Sequence, residues 1–154
     1  MFYGEYRHAI DEKGRVIIPA RFREALIKLN KNKFILTRGL EKSLFIFSLD
    51  EWKSQEEKFK SLSLNKSNPR AFSRIVFSGA YRSSLDKQGR LNLPRSLIEY
   101  ARIEKEVVII GVSDRIEIWD SFRWRNYRNK SERSFIEIAK ELAGGRKLKV
   151  VESK

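Results

Sequence analysis

Leucines alternate with polar residues over Arg90-Leu91-Asn92-Leu93, so Leu91 and Leu93 face a core while Arg90 and Asn92 share the other side of a strand. Arg15-Val16-Ile17-Ile18 follows the same rule with one departure: Val16 and Ile18 point inward, but Ile17 joins Arg15 outside. Pro19 and Pro94 end these strands and open helices, because proline suits the first helical position and cannot serve a central strand. Helices are predicted near Ala20 to Leu29, with Asn30 and the basic loop 31–33 ending the first, and near Arg95 to Arg102. The apolar runs at 34–38 with 44–48, and 107–112 with 115–119, predict hairpins whose turns contain Gly39 and Ser113-Asp114. A helix follows each hairpin: Ser48-Leu49-Asp50-Glu51 has the Ser-x-x-Glu form of a capping box, and Asp120 or Ser121 caps the second. A further helix runs from an Asn68 cap through Pro69, Phe72, Ile75 and Val76 to a stop at Gly79, with Arg70 and Arg74 on its outer face. Residues 131–143 fit another, with Phe135, Ile138, Ala139 and Leu142 in register before Gly144-Gly145.

The pattern is doubled. A shift of 75 positions lays Gly4 to Arg23 over Gly79 to Ile98, with seven of twenty positions identical: Gly4/Gly79, Tyr6/Tyr81, Arg7/Arg82, Asp11/Asp86, Gly14/Gly89, Arg15/Arg90 and Pro19/Pro94. Apolar character is kept at Ile10/Leu85, Val16/Leu91, Ile18/Leu93 and Phe22/Leu97, and Trp52 recurs as Trp124. The expected division is repeat one with its following helix over 1–65, a linking helix over 66–79, repeat two with C-terminal helices over 80–143, and a basic tail over 144–154. Asp11-Glu12-Lys13-Gly14 and Asp86-Lys87-Gln88-Gly89 read as tight turns joining short strands: Asp bonds nearby amides and Gly takes positive φ.

Charge narrows the class of partner. The chain of 154 residues has 33 Lys/Arg against 20 Asp/Glu, a net charge of +13, and its two halves share the excess almost equally, so the partner is expected to be anionic. Zero cysteines remove disulfides and thiolate chemistry and agree with a reducing compartment. The N-terminal residues lack a secretory pattern and no apolar run approaches a membrane span, so cytoplasmic residence is the default expectation.

Enzyme chemistry finds little footing. His8 is the only histidine, a partly exposed structural residue by its position, and no HExxH, GxSxG or phosphate-loop pattern occurs. Glu56-Glu57 sits among Lys53, Lys58 and Lys60 on a solvated helix face. No catalytic residue, metal, cofactor or small-molecule substrate is assigned. The aromatic residues, including Phe34, Phe45, Phe47, Trp52, Trp119 and Trp124, lie where burial explains them better than stacking on bases.

The Asp-x-x-Gly-Arg turns are the sharpest feature. Asp and Gly suffice for the turn, and a local Asp–Arg pair is the plain structural account of the rest. Duplication within so basic a chain favours DNA, because Arg makes bidentate contacts to phosphate or guanine and a two-stranded ribbon fits the major groove. The rival readings are an oligomeric scaffold recruiting an acidic protein, which suits the exposed Ile17 and the paired Trp helices, and RNA binding, which needs solvent-facing aromatic strands.

DEKGRVIIPARFR and DKQGRLNLPRSLI, each preceded by Gly-x-Tyr-Arg and followed by strands and a Trp-bearing helix, resemble the MraZ family over residues 1 to about 143. The resemblance implies a strand-rich α+β fold: two AbrB-like (SpoVT/AbrB) swapped-hairpin repeats packed as a pseudo-twofold, double-psi-type barrel with flanking helices, several chains forming a ring. It implies a nucleoid-associated transcriptional regulator, usually a repressor, that binds short direct repeats upstream of the division and cell-wall cluster containing its own gene. Carried over by position, Arg15 and Arg90 lead the DNA contacts, with Lys13, Arg7 and Arg82 beside them. Arg23 is a further contact in the first copy, where its counterpart Ile98 is apolar. Asp11, Asp86, Gly14 and Gly89 fix the turns.

Overall fold

A computed structural model describes residues 1–144; the expected tail over 144–154 lies outside them apart from Gly144. Fourteen elements follow in order: β1 (Phe2–Ala9), β2 (Arg15–Ile17), α1 (Ala20–Asn30), β3 (Phe34–Arg38), β4 (Leu44–Ser48), α2 (Leu49–Lys60), α3 (Ser67–Ser78), β5 (Tyr81–Ser83), β6 (Arg90–Asn92), α4 (Arg95–Ala101), β7 (Glu106–Ser113), β8 (Ile116–Asp120), α5 (Ser121–Arg133) and α6 (Phe135–Gly144). They divide into two compact units, Met1–Ser121 and one beginning at Phe122.

In the first unit, β1-β7-β8-β4-β3-β5 form an antiparallel six-stranded sheet, and β2 and β6 pair separately as a two-stranded ribbon. The hairpins β3–β4 and β7–β8 form where the apolar runs predict them. The strands around the Asp-x-x-Gly-Arg turns do not close on themselves as local hairpins. Instead β1 of the first repeat pairs with β7 of the second, β5 of the second pairs with β3 of the first, and β2 pairs with β6. The repeats thus exchange strands and share one core, and the first unit crosses the boundary expected between them. The sheet is open, with β1 and β5 at its edges, where the resemblance implies a closed barrel.

Period-two alternation decides the layers. One face of the sheet, with Phe34, Leu36, Leu44, Ile46, Val107, Ile109, Ile116 and Ile118, packs against Val16 and Ile18 from the first ribbon segment, Leu91 and Leu93 from the second, Phe22 and Leu26 of α1, and Leu97 of α4. The opposite face carries Ile35 and Phe47, which cluster with Trp52 of α2 and Val76 of α3. Thr37, fully buried, donates its Oγ1 hydrogen to the Val76 carbonyl at 2.6 Å and ties α3 to the sheet.

Several local expectations shift. Ser48 caps α2 as predicted, accepting the Glu51 amide at 3.2 Å. α3 starts at Ser67 after Lys66, ahead of the expected Asn68 cap, so Pro69 lies within the first turn, where its missing N–H costs nothing. Of its apolar residues only Val76 is buried; Phe72 stays 39% exposed, packed edge-on against the Phe59 ring. Asp120 accepts the Glu104 amide, and Ser121 donates to Glu106. The helix expected over 131–143 is broken at Ser134 into the last residues of α5 and nearly all of α6.

Candidate nucleic-acid interface

Asp11 organises the first turn with both carboxylate oxygens. Oδ1 accepts the amides of Lys13 at 2.9 Å and Arg15 at 2.8 Å, while Oδ2 accepts the Arg15 Nε–H at 2.7 Å. Asp86 repeats the pattern: the Gln88 and Arg90 amides both lie 2.9 Å from Oδ1, and Arg90 Nε lies 2.8 Å from Oδ2. Backbone bonds from Asp11 N to Arg15 O and from Gly14 N to Asp11 O have counterparts from Asp86 N to Arg90 O and Gly89 N to Asp86 O, all at 3.0 Å. Bonding to the Arg15 amide is the main reason the Asp11 carboxyl sits below its ordinary pKa of 3.8. Desolvation opposes this, and the Arg15 side-chain bond, the Lys13 amide and the Arg15 charge add to it. Asp86 is lowered the same way, chiefly by the Arg90 amide.

Each arginine therefore belongs to its turn, because its Nε–H locks the aspartate. The side chains are still 30% and 27% exposed, and the Nη groups of Arg15 and Arg90 make no hydrogen bond among the described residues. A guanidinium held through Nε is pre-oriented with its outer edge open.

The turn glycines have φ of +80° at Gly14 and +76° at Gly89, a region that L side chains rarely occupy. Their carbonyls accept across the repeats, Gly14 from the Leu93 amide at 2.8 Å and Gly89 from the Ile18 amide at 3.1 Å. Each turn is also roofed by the other repeat: a Cβ on Gly14 would meet Ile98 at 3.1 Å, and one on Gly89 would meet Arg23 at 2.5 Å. Arg23 and its counterpart Ile98 thus cover opposite turns, and Arg23 Nη1 donates to the Ile18 carbonyl at 3.0 Å. The Arg23 side chain thus lies over Gly89 of the second turn.

Cross-repeat pairing decides what the turns present. Arg15 lies opposite Asn92, Val16 opposite Leu91, and Ile17 opposite Arg90. Val16 and Leu91 are buried, so Arg15, Ile17, Arg90 and Asn92 lie together on the outward face of the ribbon. Arg15 and Arg90 are diagonal neighbours on it, a relation that places Cα atoms about 7–8 Å apart. Lys13 is exposed on the first turn and Lys87 on the second. Lys87 is absent from the sequence-derived set, and alignment of the two turns does not single it out: the shift of 75 lays it over Glu12 and puts Gln88 at the position of Lys13.

Arg7 and Arg82 do not join them. Tyr6 packs against the core between sheet and ribbon, so its neighbour Arg7 projects from the far side of the sheet, where Nη1 lies 3.5 Å from Glu106 Oε1. Arg82 pairs with Ile35 and shares that side, lining a groove of about 560 Å³ with Trp52, Lys53 and Glu56. Arg15, Arg90 and Lys13 stay on the ribbon side.

The sequence pattern of the family described as "MraZ protein, putative antitoxin-like" matches residues 1–75 and again residues 76–145. The chain belongs to the MraZ family. It is also 51% identical, over 142 residues, to a protein of Natranaerobius thermophilus (strain ATCC BAA-1301 / DSM 18059 / JW/NM-WN-LF) named "Transcriptional regulator MraZ", a match covering 92% of this chain and 96% of that one. The two MraZ matches divide the chain between Ile75 and Val76, within α3, while the strands they contain interleave in one sheet. Among the described residues no helix is long and apolar enough to cross a membrane.

Proposed function

We propose that this MraZ protein is a cytoplasmic, nucleoid-associated transcriptional regulator that binds duplex DNA through the β2–β6 ribbon. The reading rests on one observation: strand exchange puts Arg15 and Arg90, each pinned through Nε to its aspartate, on one exposed face. Their open guanidinium edges suit guanine or phosphate, and a two-stranded ribbon fits the major groove. Lys13 and Lys87 flank the pair and supply salt-sensitive phosphate affinity. Assembly of several chains into a ring would set successive ribbons against short direct repeats, so that individually weak contacts add. Occupied sites overlapping the promoter of its own division and cell-wall cluster would repress it.

The test is a footprint and gel shift of the full chain on the DNA upstream of its own gene. Protection of repeated short sites, lost on a shuffled duplex, supports the reading. The scaffold alternative gains from the exposed Ile17 between the arginines; binding to an acidic polypeptide without preference for the upstream duplex would favour it.

A further inference from the structure

Helix α5 carries five Lys/Arg and one Glu in thirteen residues. Glu132 faces Arg128, whose Nε lies 3.9 Å from Oε2. Arg125, Asn126, Asn129, Lys130 and Arg133 are all exposed, and their spacings of one, three, one and three residues gather them on one helical stripe. The one acid of the helix, Glu132, borders the stripe beside Asn129 and turns to Arg128, and Arg125, Lys130 and Arg133 make no ion pair among the described residues. From Arg125 to Arg133 the stripe runs about 12 Å, a length over which a duplex presents roughly seven phosphates.

The fold does not demand this surface. Trp52 and Trp124 each stand fourth in their helices, so α2 is the repeat-equivalent of α5. The matching positions are Lys53, Ser54, Glu57 and Lys58 on α2 and Ser61 just after it, and Glu57 lies 3.7 Å from Lys60. The second repeat replaces that acid with Asn129 and the serine with Arg133, leaving three cations where the first has a nearly balanced set.

From this we infer that the α5 stripe is a second, sequence-independent nucleic-acid contact, with Arg125, Lys130 and Arg133 on duplex phosphates and Asn126 and Asn129 donating amide hydrogens between them. The inference rests on the DNA reading above and adds a division of labour. The ribbon discriminates sequence, and α5 supplies salt-sensitive hold.

The experiment titrates the full chain, wild type and R125Q/K130Q/R133Q, against the upstream duplex, a shuffled duplex and a single-stranded RNA of the same length over a range of salt. Glutamine keeps helix propensity, so the melting temperature should not move. The triple variant is expected to bind both duplexes roughly tenfold more weakly, with a salt slope shallower by about 2 to 3 and an unchanged ratio between them. A charge-keeping R125K/R133K variant should retain the wild-type slope. Wild-type affinity and slope in the glutamine variant overturn the inference while leaving the ribbon reading intact. So does a loss confined to the upstream duplex, or an effect seen only on RNA. Failure of the wild-type chain to bind any duplex removes the ribbon reading and this one together.

Discussion

Arg15 and Arg90 each hold an aspartate through Nε, Asp11 and Asp86 respectively, while their Nη groups make no hydrogen bond among the described residues. The sequence shows the Asp-x-x-Gly-Arg pattern twice and makes the turn legible. It does not reveal that the arginine is part of the lock, because that depends on side-chain geometry. Asp11→Asn should lower the melting temperature by removing a carboxylate that accepts three N–H groups, and thermal melts compare it with wild type. The carboxyl is held below 3.8 in the fold, so its contribution is complete above that value and disappears as pH falls through the lower folded pKa. The gap between the two melting temperatures should accordingly be full near neutrality and close in strong acid. A gap that widened on acidification would contradict the assignment. Arg15→Lys keeps the charge but not the planar fork, so it should retain much of the affinity for a shuffled duplex while losing preference for the upstream one.

At the scale of elements, the helices and the two hairpins follow from local patterns: proline at Pro19 and Pro94, the Ser48 cap, and apolar runs. The strand exchange does not, because alternation says which side of β2 is buried without saying which strand lies beside it. Only the pairing of residues 15–17 with 90–92 brings the two arginines onto one face. Leu91, 1% exposed beneath the ribbon, anchors that arrangement. Leu91→Ala should cost about 2–5 kcal/mol of unfolding free energy in a denaturant titration. Gly89→Ala should also destabilise, since alanine strains at φ +76° and its Cβ meets the Arg23 side chain, by about 1 kcal/mol or more. Little change on Gly89→Ala would mean that the turn can relax away from Arg23.

For the whole molecule, a net charge of +13 says that an anionic partner fits but not where it docks. The layers of the first unit answer in part. The six-stranded sheet separates Arg7 and Arg82 from the ribbon arginines, although all four lie in the same short repeated motif. That separation was not legible from residue spacing, because it follows from the ribbon packing on one sheet face while α2 and α3 pack on the other. Arg7→Gln and Arg82→Gln should therefore affect promoter binding far less than substitutions on the ribbon, as a gel-shift series would record. The central claim is the joint presentation of Arg15 and Arg90, and its most direct measurement is an anisotropy titration of wild type, R15Q, R90Q and R15Q/R90Q against upstream and shuffled duplexes at fixed salt. Each single variant should lose about 1–3 kcal/mol of discrimination, and the folded double variant should bind both duplexes alike. A folded double variant that kept the wild-type preference for the upstream duplex would contradict the account.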